Sequence, residues 1–220
     1  GVKRLEHTAM TEGAPELTVR DLHFPALPPM TFDIRRGEIA FLRDENYNTG
    51  RRLHECFLGD RGWTSGFFRL NGRLYQPGDL GRVIGSEIGI QIERPDRPGG
   101  VLFDNMTALD NLCTSLIPKA GQHIIRKKIV SSILSEALRW FPKEMLLQPL
   151  SSWSYPERLR FSYYRWYLLN PRLLICFFPF AGQESTHHKM IIDLLVLCAQ
   201  RGMAVWIISS GIDAICEKTD

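Results

Sequence analysis

The run Leu150–Gly182, LSSWSYPERLRFSYYRWYLLNPRLLICFFPFAG, carries the reading of the fold. Pro156 suits the first position of a helix, because the N–H it lacks is one that a first turn leaves unpaired anyway. A helix is therefore expected from Pro156 to about Leu169, where Asn170-Pro171 stops it. Leu173–Phe178 (LLICFF) is an unbroken apolar run, the mark of a central parallel strand buried on both faces. Residues 186–200 repeat the amphipathic helix pattern and Gly202 closes it. Met203–Ile208 (MAVWII) is a second buried strand. Helix, strand, helix, strand in that order implies right-handed crossovers and a parallel sheet.

Toward the N-terminus the pattern changes. Glu16–Phe24 alternates as a strand does, and Pro25, Pro28 and Pro29 break it. Met30–Arg35 reads as a second strand, Arg36-Gly37 as a turn, and Glu38–Arg43 as a short buried strand. The polar stretch Asp44–Arg52 leads into a short helix with apolar Leu53, Cys56 and Phe57, ended by Gly59. A strand over Gly66–Leu70, the turn Asn71-Gly72 and more strand to Tyr75 follow. Pro95–Gly100, rich in Pro, Gly and Arg, is an exposed loop. From His123 to Phe141 apolar residues recur at helical spacing over a broad face. The expectation is one α/β domain over 16–220: a β-rich start, a helical insert at about 105–160 and a parallel-sheet core. Residues 1–15 read as a flexible N-terminal segment or a cloning remnant. Gly1 stands where an initiator Met would be, so a longer natural protein is expected.

Composition agrees with a well-cored domain. The 220 residues are 44% hydrophobic and 23% charged, which excludes overall disorder. A net charge of +3 is too mild to point to nucleic acid or an anionic membrane surface. No apolar run approaches the roughly 18–20 residues of a membrane span, so direct membrane insertion is not expected. The five cysteines, Cys56, Cys113, Cys176, Cys198 and Cys216, lack zinc-site spacing and read as reduced, mostly buried thiols. His187-His188 reads as a polar helix start and not as a metal site.

The order of these elements resembles the ATP-binding cassette of ABC transporters, and most closely the second cassette of sugar-import ATPases. Leu150-Ser151-Ser152-Trp153-Ser154-Tyr155-Pro156-Glu157 stands where that family has LSGGNQQK. Arg165-Trp166-Tyr167-Leu168 stands for ARWL, and Asn170–Ile175 for NP-x-L-L-I. Phe177–Gly182 falls on the acidic D-E-P-T-x-G, without gaps. Gly37-Glu38-Ile39 matches the G-E-I before the phosphate loop. Gly89-Ile90, Asp96-Arg97 and Asn111-Leu112 resemble the G-I…E-D-R…E-N-L run, and Ile207–Ser210 resembles the I-S-S after the last core strand. The resemblance covers roughly residues 16–220. It implies a P-loop-NTPase-like fold, a cytoplasmic location peripheral to a membrane permease, and pairing with another cassette or a second copy.

The chemistry departs from the scaffold. A phosphate loop needs glycines to bring backbone N–H groups around phosphate oxygens, a Lys for the terminal phosphates and a hydroxyl for Mg²⁺. Counted ungapped, its three glycines become Asp44, Tyr47 and Thr49, its Lys becomes Gly50 and its hydroxyl becomes Arg51. Tyr47 and Thr49 carry β-carbons where φ > 0 or close approach is wanted, and Asp44 and Glu45 repel polyphosphate. A one-residue slip puts Arg51 at the Lys position and Arg52 at the hydroxyl, restoring only a cation. Phe177-Phe178 replace the Asp that would hold Mg²⁺ and the Glu that would polarise water; a phenyl ring does neither. Pro95 falls where a Gln or Glu would face metal and water. Ser152 and Trp153 replace the signature glycines beside the surviving Ser151, and the indole is expected to obstruct a partner's phosphate. Glu184 stands at the D-loop Asp and Ser209 at the switch position, where Ser is ordinary for this cassette type.

The expected function is a degenerate cassette, a pseudo-ATPase scaffold or regulatory module with no catalytic residue and no metal. ATP and Mg²⁺ are disfavoured as cofactors. The alternatives are an ATP-hydrolysing sugar-transporter subunit with an atypical site, and a small-molecule sensor using the emptied cleft. Phe24 could stack on a base, but a buried strand position is the favoured reading. Phe177, Phe178 and Phe180 are expected to fill the vacated site. Trp153, Tyr155, Tyr163, Tyr164, Trp166 and Tyr167 place aromatics on two faces of the signature helix, one packing and one facing a partner.

Overall fold

The computed structural model describes residues 2–4, 13–60, 62–92, 102–116 and 123–210, with the backbone alone for 2–4 and 123–127. Pro95, the loop Pro95–Gly100, Asp96-Arg97 and Cys216 lie outside the described residues.

Strands β1 (Val2–Arg4), β4 (Ile39–Arg43), β7 (Ile88–Ile92), β8 (Leu173–Phe177) and β9 (Ala204–Ser209) form one sheet in the order β1-β4-β9-β8-β7. Three of its four pairings run parallel; the fourth is at the edge, where β1 lies antiparallel on β4 with Lys3 opposite Phe41. A second, antiparallel sheet has the order β3-β2-β5-β6, built from β2 (Leu17–His23), β3 (Met30–Ile34), β5 (Ser65–Leu70) and β6 (Arg73–Tyr75). The helices are α1 (Asn48–Leu58), α2 (Pro77–Val83), α3 (Ala108–Leu116), α4 (His123–Ala137), α5 (Lys143–Leu146), α6 (Tyr155–Leu169) and α7 (Ser185–Gln200).

The parallel sheet is buried on both faces, as its apolar runs require. On β8, Leu173, Ile175 and Phe177 pack toward the antiparallel sheet and α1, with Phe32, Phe57 and Trp206. Leu174 and Cys176 point the other way, into a core shared with Tyr163, Trp166, Leu195 and Ile207 of α6, α7 and β9. A third core joins Leu112, Phe141, Leu150, Trp153, Phe161 and Tyr164 within the helical part. Helix α6 therefore belongs to two cores at once, with Tyr163 and Trp166 in one and Tyr164 in the other, so the aromatic face expected to meet a partner is instead packed within the chain. Fully burying one such side chain stabilises the fold by roughly 1.5–3 kcal/mol.

Several boundaries differ from the sequence reading. Helix α1 begins at Asn48, inside the stretch read as a polar lead-in to Arg52. Val2–Arg4 adds an edge strand within a segment read as flexible. Strand β7 and helix α2 carry weak sequence signals. In β7, Gly89 interrupts the β-branched run because α6 packs against it: a Cβ there would lie 2.8 Å from Trp166 Cε3. Gln91 of the same strand is fully buried, accepts the Trp166 indole N–H at 2.6 Å and donates to Ser162 Oγ at 3.2 Å.

Candidate functional site

The C-terminal ends of β4, β8 and β9 converge, and in open parallel sheets this edge is where ligands bind. Strand β4 delivers Asp44, whose N–H donates to Ser209 O at 3.0 Å and ties the loop to β9. Tyr47 then turns the chain into α1 with φ 57° and ψ 12°, a left-handed conformation. That conformation costs a non-glycine residue roughly 1–2 kcal/mol, so the loop keeps its turn in spite of the β-carbon.

The space inside the turn holds the chain's own anion. The Asp44 side chain is buried, 6% exposed. Its Oδ2 accepts the Gly50 N–H at 2.7 Å and its Oδ1 the Thr49 N–H at 3.3 Å. A helix N-terminus carries a partial positive charge and unpaired N–H donors, so a carboxylate there is favourable. These are the donors a phosphate would use. The Asp44 carboxylate thus satisfies both donors from within the chain.

Phe178 lies against the same turn. It follows β8 with φ 53°, and its N–H donates to Ile208 O at 2.8 Å. Its ring lies 4.7 Å from that of Tyr47. A Cβ built on Gly50 would meet Phe178 Cζ at 2.4 Å, so the ring occupies the path a lysine side chain would take from that position. Phe177 is buried in the core with the His54 ring edge-on at 5.5 Å. Phe180 is buried as well, against His188 at 5.2 Å. Ser209 is buried, and its Oγ donates to Ser210 O at 3.2 Å. Arg51 and Arg52 are directed to Glu55, at 3.7 and 3.1 Å, and not into the turn. Phe24 is 2% exposed, a core residue. Outside the loop lies an open cleft of about 520 Å³ lined by Leu27, Pro28, Arg43, Asp44, Glu45, Asn46, Asn48 and Thr49; neither Phe177 nor Phe178 lines it.

Ser151, Ser152 and Trp153 precede α6, and only Trp153 enters the helical core. Ser151 and Ser152 are exposed, and the Ser152 hydroxyl donates to Pro149 O at 2.8 Å. Trp153 corrects the sequence reading. Its indole is buried against Phe141 and Phe161 and donates to Met145 O at 3.2 Å, so it does not project toward a partner. The sequence reading also missed how α6 starts. Glu157 Oε2 accepts the Ser154 N–H at 2.8 Å and its hydroxyl at 2.6 Å, and these bonds hold the Glu157 carboxyl below the usual carboxylate range. The S-x-x-E spacing of Ser154 and Glu157 was the available signal. Glu184 is the exposed residue preceding α7, and His187-His188 lie in its first turn. Among the described residues no group of three or more His, Cys, Asp or Glu is arranged to hold a metal ion, and no helix is long and apolar enough to cross a membrane.

No protein-family model matches the chain. A solved structure of cbiO1 from Clostridium perfringens, part of the ABC transporter complex cbiONQ, superposes with a TM-score of 0.73 over 90% of this chain and 80% of that one, at 20% identity. The chain has the ATP-binding cassette fold. The ADP conformation of the ATP-binding cassette MJ1267 agrees with it at a TM-score of 0.67 and 15% identity, covering 90% of this cassette and 82% of that chain. In sequence the cassette is 25% identical over 208 residues to a protein of Pseudomonas syringae pv. tomato described as a ribose/galactose/methyl galactoside import ATP-binding protein, covering 93% of this chain and 39% of that relative. It is 23% identical over 196 residues to a galactofuranose transporter ATP-binding protein of Escherichia coli, covering 89% and 38%. The cassette thus spans about two-fifths of the length of the curated relatives it matches. By sequence it is similar to sugar-importer-type ATPase domains.

Proposed function

We propose that this cassette is a pseudo-ATPase: a sugar-importer-type domain that does not hydrolyse ATP and serves as a scaffold or regulatory member of a cassette pair. The observation that carries the reading is the Asp44 carboxylate on the Gly50 and Thr49 N–H groups. A phosphate entering the turn would have to displace a carboxylate and sit beside it, with no lysine to offset the repulsion. The residues of the site also do not fit a magnesium nucleotide. Arg51 replaces the hydroxyl ligand, and Phe177 and Phe178 present rings where hard oxygen donors would be needed. Burial of Phe177 and Phe180 supports the filling role over an aromatic contact surface. Likeness to import ATP-binding proteins supports pairing with another cassette or a second copy, and a cytoplasmic position against a permease subunit.

The test is a melting titration of the purified chain with Mg-ATP, run beside a phosphate-release assay. A ligand held at a hundred times its Kd stabilises by about 2.7 kcal/mol, which moves the midpoint of a domain this size by several degrees. The expectation is no shift and no turnover at millimolar Mg-ATP. A shift of that size with measurable turnover overturns the reading in favour of an atypical active subunit. A sugar or other neutral metabolite that shifts the midpoint while ATP does not would favour the sensor reading, for which the open cleft beside Asn46 and Asn48 is the specific feature.

A further inference from the structure

The opposite edge of the parallel sheet carries a feature that the nucleotide-site reading does not use. Helix α6 leads into the start of β8 and α7 into the start of β9, so Tyr167 and Arg201 lie at the far end of the sheet from Asp44. There Arg201 donates to Tyr167 O, and its guanidinium sits 4.5 Å from the Tyr167 ring centre. The Trp140 ring follows 5.4 Å from Tyr167. Arg160 closes the row, 5.8 Å from Trp140 and 5.3 Å from Phe141. The order is guanidinium, ring, ring, guanidinium. Both outer arginines are exposed, and none of the described residues forms an ion pair with Arg160 or Arg201. Beside them, exposed Arg139 has Glu136 at 3.2 Å. Beneath them Tyr164 is fully buried, and its hydroxyl has no hydrogen-bond partner among the described residues.

We propose that this row is a docking surface for an acidic peptide segment of a partner protein. Three arginines against one carboxylate make the patch complementary to acid. A guanidinium stacked on a ring is held in a fixed orientation, so Arg160, and Arg201 through the N–H groups it does not give to Tyr167 O, receive a carboxylate with little further ordering. The rings between the arginines supply the apolar anchor that arginine–aromatic hot spots combine with charge. The fixed geometry favours carboxylates spaced along a peptide over a diffuse anionic lipid surface, which long flexible lysines would serve as well.

The probe is a fluorescein-labelled twelve-residue peptide of Glu-Glu-Leu repeats, followed by anisotropy at about 0.1 M salt, where the Debye length is near 10 Å. The same peptide with Gln for Glu, and phosphatidylserine vesicles, are run beside it. The expected result is binding of the acidic peptide alone, weakened about tenfold or more by R160A/R201A. R160K/R201K, which keeps charge and loses stacking, weakens it several-fold. R69A, which removes an arginine stacked on Phe67 in β5, leaves it unchanged. If the alanine pair does not fold, as judged by its thermal melt, the lysine pair decides. Absence of binding at millimolar protein, equal binding of the Gln peptide, equal loss in R69A, or capture of vesicles without the peptide overturns the proposal. None of these outcomes depends on whether the cassette binds ATP.

Discussion

The closure of the site over Gly50 can be measured as a coupling energy. Replacing Gly50 with alanine places a methyl group 2.4 Å from Phe178 Cζ, 3.2 Å from its Cε1 and 3.1 Å from Ile208 Cγ2. The first distance is impossible unless the ring moves, and the third asks for a few tenths of an ångström. Overpacking of this kind costs typically about 1–3 kcal/mol. Against it, alanine is better than glycine in a helix by up to about 1 kcal/mol. G50A alone should therefore destabilise by roughly 0–2 kcal/mol. With Phe178→Ala in place, only the Ile208 contact remains. G50A should then be neutral to stabilising, by up to about 1 kcal/mol. The cycle predicts a coupling of roughly 1–3 kcal/mol between two positions that a working phosphate loop would separate by lysine and nucleotide. Urea unfolding of the four proteins, compared by midpoint at constant slope, gives the number. Additivity within about 0.5 kcal/mol would mean the ring swings aside freely, and the filled-site argument would fail.

Two further perturbations test the anions at the helix starts. Asp44→Ala leaves the buried Gly50 N–H without its acceptor and should cost roughly 1–3 kcal/mol, with Asp44→Asn costing less; urea midpoints unchanged in both would refute the capping role. At α6, bonds from Ser154 depress the folded-state pKa of Glu157 below its unfolded value of about 4.3. Its contribution is thus present above about pH 4.3 and is lost as the pH falls toward the depressed value. Glu157→Gln should lower the urea midpoint at pH 6 and shrink the gap to wild type near pH 3; a gap that does not change with pH refutes it.

The parts of the fold that were legible are those where one residue type served one purpose. LLICFF and MAVWII could only be strands covered on both sides, and alternate residues of each do enter different cores. The aromatic α6 was readable only in part: one face was expected to pack and the other to meet a partner, whereas Tyr163 and Trp166 on one side and Tyr164 on the other are all buried within the chain. Legibility failed where a tertiary neighbour set the local choice. Strand β7 carries Gly89 because Trp166 presses on it and Gln91 because the indole N–H needs an acceptor, and neither reason is visible in IGIQI. Helix α1 starts among Asn48, Thr49 and Gly50, poor helix formers, because Asp44 satisfies the Thr49 and Gly50 donors from outside the helix. At the candidate site the residue types were legible and the directions of their side chains were not. Trp153 was read as bulk facing outward, whereas Phe141 and Phe161 give it an apolar pocket and Met145 O gives its N–H an acceptor.

The direction of Asp44 matters most for the proposed loss of hydrolysis, because it changes how that loss could be reversed. A helix N-terminus binds phosphate through N–H groups that are otherwise unpaired. Without a bound phosphate those donors need another acceptor, and a carboxylate one turn upstream supplies it within the fold. Once it is there, a lysine restored at position 50 would still meet the Phe178 ring, and phosphate would still meet a negative charge. Removing Asp44 alone leaves the buried donors empty, and removing Phe178 alone opens a space beside a helix start that is already capped. Each single reversion therefore carries a stability cost with no binding in return. Only changes at Asp44, Gly50 and Phe178 made together could reopen the turn, so on the proposed reading the state is self-maintaining for reasons of local packing and hydrogen bonding.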